Sequence, residues 1–169
     1  MSGLSTRKGL TVFEILVVMI IVSILALLAL PFFLNFGDEY RATALAQNLY
    51  YAMQYARSEA IKRDTTVYVN FQTGTNWCYG INPTSNCNCS ITGNCTLGTT
   101  TAPTPQISTL AATGTTSNSL SFDGVRGAAG GAATITFTVT GQTPVMGLDV
   151  GILGDMYLCS STISGYSGC

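Results

Sequence analysis

Histidine is missing from this 169-residue sequence, and charged residues make up only 9% of it. The commonest metal ligand and the usual acid–base catalyst are therefore absent. No glycine-rich phosphate loop follows a strand, and no nucleophile stands beside a base. An enzyme is not expected, and no cofactor or metal is implied. Positive charge is scarce as well: C-terminal to Lys62 and Arg63 the only basic residue is Arg126, set against Asp64, Asp123, Asp149 and Asp155. Affinity for DNA rests chiefly on lysine and arginine neutralising phosphates. The three cations Lys62, Arg63 and Arg126 are the available DNA contacts, and they are too few for DNA to be an expected partner.

What the sequence has is one long uncharged run, residues 15–36. At about 1.5 Å per residue it makes roughly 33 Å of helix, enough to cross a hydrocarbon core of about 30 Å once. Glu14 stands at its start. Thr11 and Glu14 have the spacing of a capping box, while a carboxylate near a membrane helix also calls for a cationic partner. Cleavage after Gly9 would create one, the α-amine of Leu10. An ordinary secretory signal places its small residue after the apolar segment, whereas here Gly9 precedes it. Arg7 and Lys8 before the run, and Asp38 and Glu39 after it, put the N-terminus in the cytoplasm and the body outside.

Gly9, then Leu10-Thr11-Val12-Phe13-Glu14 and a long apolar helix, resemble the class III signal of type IV prepilins and type II secretion pseudopilins. The resemblance implies a leader (residues 1–9) removed by prepilin peptidase and methylation of Leu10. It also implies that Glu14 pairs with an N-terminal amine during assembly, and that Pro31 kinks the helix. Leu10 stands where phenylalanine or methionine is commoner in that family. Residues 10–36 are then a transmembrane and assembly helix, and residues 37–169 an exported head. About 130 residues after the span allow one small domain with one core.

Within the head the helix is expected to continue to about residue 63, with Leu45, Leu49, Ala52, Met53, Ala56 and Ala60 on one face. Glu59 can meet Lys62 and Arg63 one turn on. Tyr50, Tyr51 and Tyr55 suit either a contact between subunits or packing under the domain's own sheet. Asp64-Thr65-Thr66 ends the helix. Residues 67–71 and 77–81 read as a hairpin with Gly74 in its turn. Residues 134–140 alternate as a half-exposed strand ended by Gly141, and residues 145–150 and 154–159 close the fold. Residues 82–119 read as a polar, turn-rich loop, its second half rich in threonine, serine and proline and read as unmodified rather than O-glycosylated.

The six cysteines do not show zinc-knuckle spacing, and an exported head favours disulfides. Cys159 and Cys169 are isolated at the C-terminus and would close a short loop. Cys78, Cys87, Cys89 and Cys95 would pair among themselves. Cys87 and Cys89 are too close for an easy mutual bond, so each is expected to join Cys78 or Cys95, with the pairing open.

Residues 56–63 (Ala-Arg-Ser-Glu-Ala-Ile-Lys-Arg), Asn76-Trp77 with Gly80, and the turn Phe122-Asp123-Gly124-Val125-Arg126-Gly127 are similar to the FimT, FimU and GspH group of minor pilins and pseudopilins. This implies an α+β pilin-like fold, a long N-terminal helix packed on an antiparallel sheet with a disulfide-bonded head. The implied role is a FimU-like minor pilin that primes assembly or sits near the tip of a type IV pilus. Its partners would be other minor and major pilins, prepilin peptidase, the inner-membrane assembly platform and, before assembly, the lipid bilayer. The protein would be single-pass in the inner membrane of a Gram-negative bacterium and then extracellular. Two alternatives remain: a FimT-like DNA-binding pilin of natural transformation, and a GspH-like pseudopilin of type II secretion. The FimT-like Gly-Arg-x-Arg tail is not matched, since Asp155 and Tyr157 replace the arginines.

Overall fold

The computed structural model describes residues 11–83, 85–104, 108–139 and 145–169, without the side chains of residues 29–36. The chain divides into two units, Met1–Gly37 and Asp38–Cys169. Helix α1 runs over Val12–Arg63. Eight strands follow: β1 (Val67–Gln72), β2 (Cys78–Pro83), β3 (Gly98–Thr101), β4 (Ser108–Thr113), β5 (Ser119–Phe122), β6 (Ala133–Val139), β7 (Val145–Val150) and β8 (Met156–Ser160).

These strands form two antiparallel four-stranded sheets rather than the one expected, ordered β3-β2-β1-β5 and β4-β6-β7-β8. The expected hairpin is β1–β2, with Phe71 opposite Tyr79. Its turn does more than reverse the chain. Gly74 exchanges backbone bonds of 2.9 and 3.1 Å with Leu110 of β4, tying the first sheet's hairpin to the second sheet's edge.

The stretch 82–119 corrects the sequence reading, because β3 and β4 lie within it. Gly98–Thr101 is exposed throughout, so no alternation of apolar residues marked it. β4 is short of large apolar residues, with Leu110 its one buried large side chain. Its strand character comes from pairing with β6 along its whole length.

In the second unit, Ala42, Ala46, Leu49, Met53, Ala56 and Ala60 of α1 are fully buried. The steps of three and four keep them on one stripe, and the four alanines let sheet residues approach the helix closely. Leu45 and Ala52, expected on this face, are only half-buried at its border. The stripe forms one core with Val67, Val69, Phe122, Ile135, Phe137, Met146, Leu148 and Val150. β6 alternates strictly, with Ala133, Ile135, Phe137 and Val139 inward and Thr134, Thr136 and Thr138 half-exposed. Thr140 and Gly141, the expected strand end, lie outside the described residues. Trp77, 1% exposed, packs edge-on to Phe137 and donates its indole N–H to Ser108 Oγ at 3.1 Å.

Candidate assembly and docking sites

Between residues 11 and 28 the exposed side chains are mostly apolar. Thr11 caps α1: its Oγ1 accepts the Glu14 backbone N–H at 3.2 Å, and its carbonyl accepts the Ile15 N–H. Every residue from 11 to 28 is exposed, including Val12, Phe13, Leu25, Leu27 and Leu28 at more than half of their surface. Among the described residues no helix is long and apolar enough to cross a membrane. The span expected over residues 15–36 falls partly on side chains 29–36, outside the described set. Helical backbone continues through Pro31, whose side chain belongs to that set. Gly9 and Leu10 also lie outside the described residues.

The second unit gathers its polar side chains at the C-terminal end of α1. Asp64 takes a left-handed conformation, φ 51°. Its N–H reaches the Ile61 carbonyl at 3.3 Å, and the Thr65 N–H reaches that of Ala60 at 3.2 Å. These two bonds are a Schellman ending, with aspartate where glycine is usual. Glu59, only 5% exposed, accepts from Lys62 Nζ at 3.0 Å and Arg63 Nε at 2.7 Å. The Arg63 and Lys62 bonds hold its carboxyl below the usual range against the opposing effect of burial.

The turn after β5 packs on this helix end. Asp123 accepts the backbone N–H groups of Val125 and Arg126 through Oδ1 and that of Ala128 through Oδ2, all within 2.8–3.0 Å. These bonds, that of Arg126 foremost, lower its carboxyl pKa. Phe122 anchors the turn in the core, and Gly124 lies against the backbone of Asp64 and Thr65. The loop between β7 and β8 joins in, because the Ala129 N–H donates to the Ile152 carbonyl at 3.0 Å.

Arg57 lies between the two loops. Gly127 (φ 65°) and Gly154 (φ 79°) both need left-handed backbone that side chains rarely adopt. A β-carbon at Gly127 would stand 2.9 Å from Arg57 Cγ and Nε, and one at Gly154 3.1 Å from Nε. The Arg57 Nε–H is buried with no acceptor. Such an orphan typically costs about 1–3 kcal/mol. In the sequence Arg57 stands out only as part of the 56–63 motif. Nothing in the periodicity signalled that two glycine turns far along the chain would enclose it.

The remaining candidates are distributed elsewhere. Cys78 is bonded to Cys89, Cys87 to Cys95, and Cys159 to Cys169. Cys78, Cys89 and Cys95 are buried together under β2, while Cys159 in β8 ties down the C-terminus, where the Ser160 N–H also reaches the Ser167 carbonyl. Tyr50 packs against the core, whereas Tyr51 and Tyr55 are 67% and 43% exposed. Of the DNA-contact candidates, Lys62 and Arg63 are occupied by Glu59, and Arg126 sits in the field of Asp123. No group of histidine, cysteine, aspartate or glutamate among the described residues could hold a metal ion.

A family model described as type II transport protein GspH matches residues 45–154, well over half of the chain. The chain belongs to the GspH family. The matched region encloses both halves of the helix-end arrangement, from Arg57 through Asp123 and Gly127 to Gly154, and excludes residues 12–28 and the Cys159–Cys169 bond. Among solved structures, the type IV minor pilin FimU of Pseudomonas aeruginosa has the same fold at 20% identity and a TM-score of 0.51, over 69% of this chain and 90% of that one. Comparison with curated protein sequences finds no match. The fold of this chain is thus α+β, an N-terminal helix packed on antiparallel sheets and a disulfide-bonded head.

Proposed function

We propose that this GspH-family chain is a minor pilin, built into a type IV pilus through its N-terminal helix as an assembly-priming or tip-associated subunit. The observation that carries this reading is the uniform exposure of large apolar side chains over residues 12–28, ahead of a folded head. Exposed apolar surface on this scale calls for a lipid or protein partner. A bilayer covers it before assembly, with the N-terminus cytoplasmic and the head periplasmic, and neighbouring pilins cover it in the extracellular filament. Prepilin peptidase cuts between Gly9 and Leu10 and methylates Leu10. Glu14, capped into the first turn by its own backbone N–H, then offers its carboxylate to the amine of Leu10 on a neighbouring subunit, while Pro31 kinks the helix. The assembly platform and other minor and major pilins are the partners.

Glu14→Ala tests this reading. Cleavage after Gly9 should proceed, read as a mass shift, while the variant disappears from sheared filaments; normal incorporation would remove the role of Glu14. A second reading, a pseudopilin of type II secretion, is favoured by the description of the family itself. Deleting the gene separates the two, since loss of surface pili supports the first and loss of secreted enzymes supports the second.

A further inference from the structure

We infer that the C-terminal end of α1 carries a docking site for a carboxylate of a neighbouring subunit, formed by the Arg57 guanidinium and an apolar rim of Val125, Ile152 and Leu153. The inference rests on the filament reading above. The head unit Asp38–Cys169 contains five basic residues: Arg41, Arg57, Lys62, Arg63 and Arg126. Arg41 is paired with Asp38, Lys62 and Arg63 with Glu59, and Arg126 interacts with Asp123. Among the described residues, Arg57 and Arg126 form no ion pair, and of the two only Arg57 has a buried N–H without an acceptor.

Among the described residues no ion pair joins Arg57 to Asp64, Asp123 or Asp155. Asp123 is taken up by three backbone N–H groups, and the Asp155 carboxylate lies beside Gly151. The Arg57 side chain nevertheless fills the space that a β-carbon at Gly127 or Gly154 would need, between two loops that are bonded to each other through Ala129 and Ile152. A fixed planar fork of donors matches a carboxylate in two-point geometry.

Those same loops expose three large aliphatic side chains, Val125 at 80%, Ile152 at 65% and Leu153 at 79%. Ile61, which touches the Gly127 position, is itself 49% exposed. An unpaired guanidinium beside an exposed aliphatic rim fits an acidic side chain flanked by apolar residues. It fits a phosphate backbone poorly, since binding there needs several clustered cations and the rim itself is uncharged.

The test is photo-crosslinking in the encoding bacterium, using the full chain with benzoylphenylalanine at Leu153 and analysing sheared filaments by mass spectrometry. A crosslink to another subunit is expected, on a peptide containing Asp or Glu, and Arg57→Gln should reduce it about tenfold. Because the Arg57 stem is packed, Leu153→Asp serves as a second variant at an exposed position. With the crosslinker moved to Val125, it should lower the yield similarly while all three disulfides still form. Wild-type incorporation without a crosslink, or a crosslink indifferent to both variants, overturns the docking site and leaves the filament reading standing. Failure to recover the chain from filaments at all overturns that reading, and the neighbour assigned to Arg57 falls with it.

Discussion

Asp123 accepts three backbone N–H bonds in a single turn, and Glu59 accepts two cationic side chains beside the core. Both carboxyls have folded pKa values below their ordinary ones. In an unfolded chain these groups titrate at about 3.9 and 4.3. A depressed folded value means that their stabilisation is fully present above those unfolded values and is lost as pH falls through the lowered ones. Thermal melting should therefore weaken below about pH 4, in the window set by the unfolded pKa values. Asp123→Ala should lower the melting temperature at neutral pH and flatten part of that acid limb, and an unchanged limb would contradict the assignment. The Glu59 pairs were legible in the sequence because their spacing is local. The three bonds to Asp123 were not, because they need an irregular turn over residues 123–128 that no helical or strand period marks.

At the scale of elements, the last strand depends on a covalent tie. Cys159 in β8 is bonded to Cys169 across a separation of 10 residues, and the Ser160–Ser167 backbone bond closes the same loop. A β-carbon on Gly147 would lie 3.1 Å from Cys169 Sγ, so the C-terminal segment is packed on β7 as well as joined to β8. Replacing both cysteines by serine should reduce unfolding free energy by about 2–4 kcal/mol. Denaturant titration measures this, and a change under a few tenths would show that packing alone holds the segment. The long helix, the β1–β2 hairpin and β6 could be read from composition and period, each carrying a strong local signal. β3 and β4 could not, because exposed threonines and small residues become strands only when a neighbour supplies the other half of the ladder.

For the whole molecule, charge distribution decides which partners are possible. Lys62, Arg63 and Arg126 each lie close to a carboxylate, and the chain has a net charge of −1. Titrating double-stranded DNA with the full chain in detergent should give no saturable binding even at low salt. Micromolar, salt-sensitive binding lost in Arg126→Ala would transfer the function to DNA uptake. The apolar helix at 12–28 gives the opposite expectation, a chain whose affinity lies in bilayers and other subunits.

The N-terminal apolar run, its Thr11 cap and the helical stripe ending at Ala60 follow from local sequence, since each depends on residues within a turn or two of one another. Local sequence also determined the likeness to pilins, through motifs that are contiguous. Tertiary structure alone decided that the strands would divide into two sheets and which of the four clustered cysteines would pair. It alone decided, too, that Arg57 would be enclosed by Gly127 and Gly154. These outcomes depend on segments far apart in the chain meeting in space, and periodicity within a segment carries no record of that meeting.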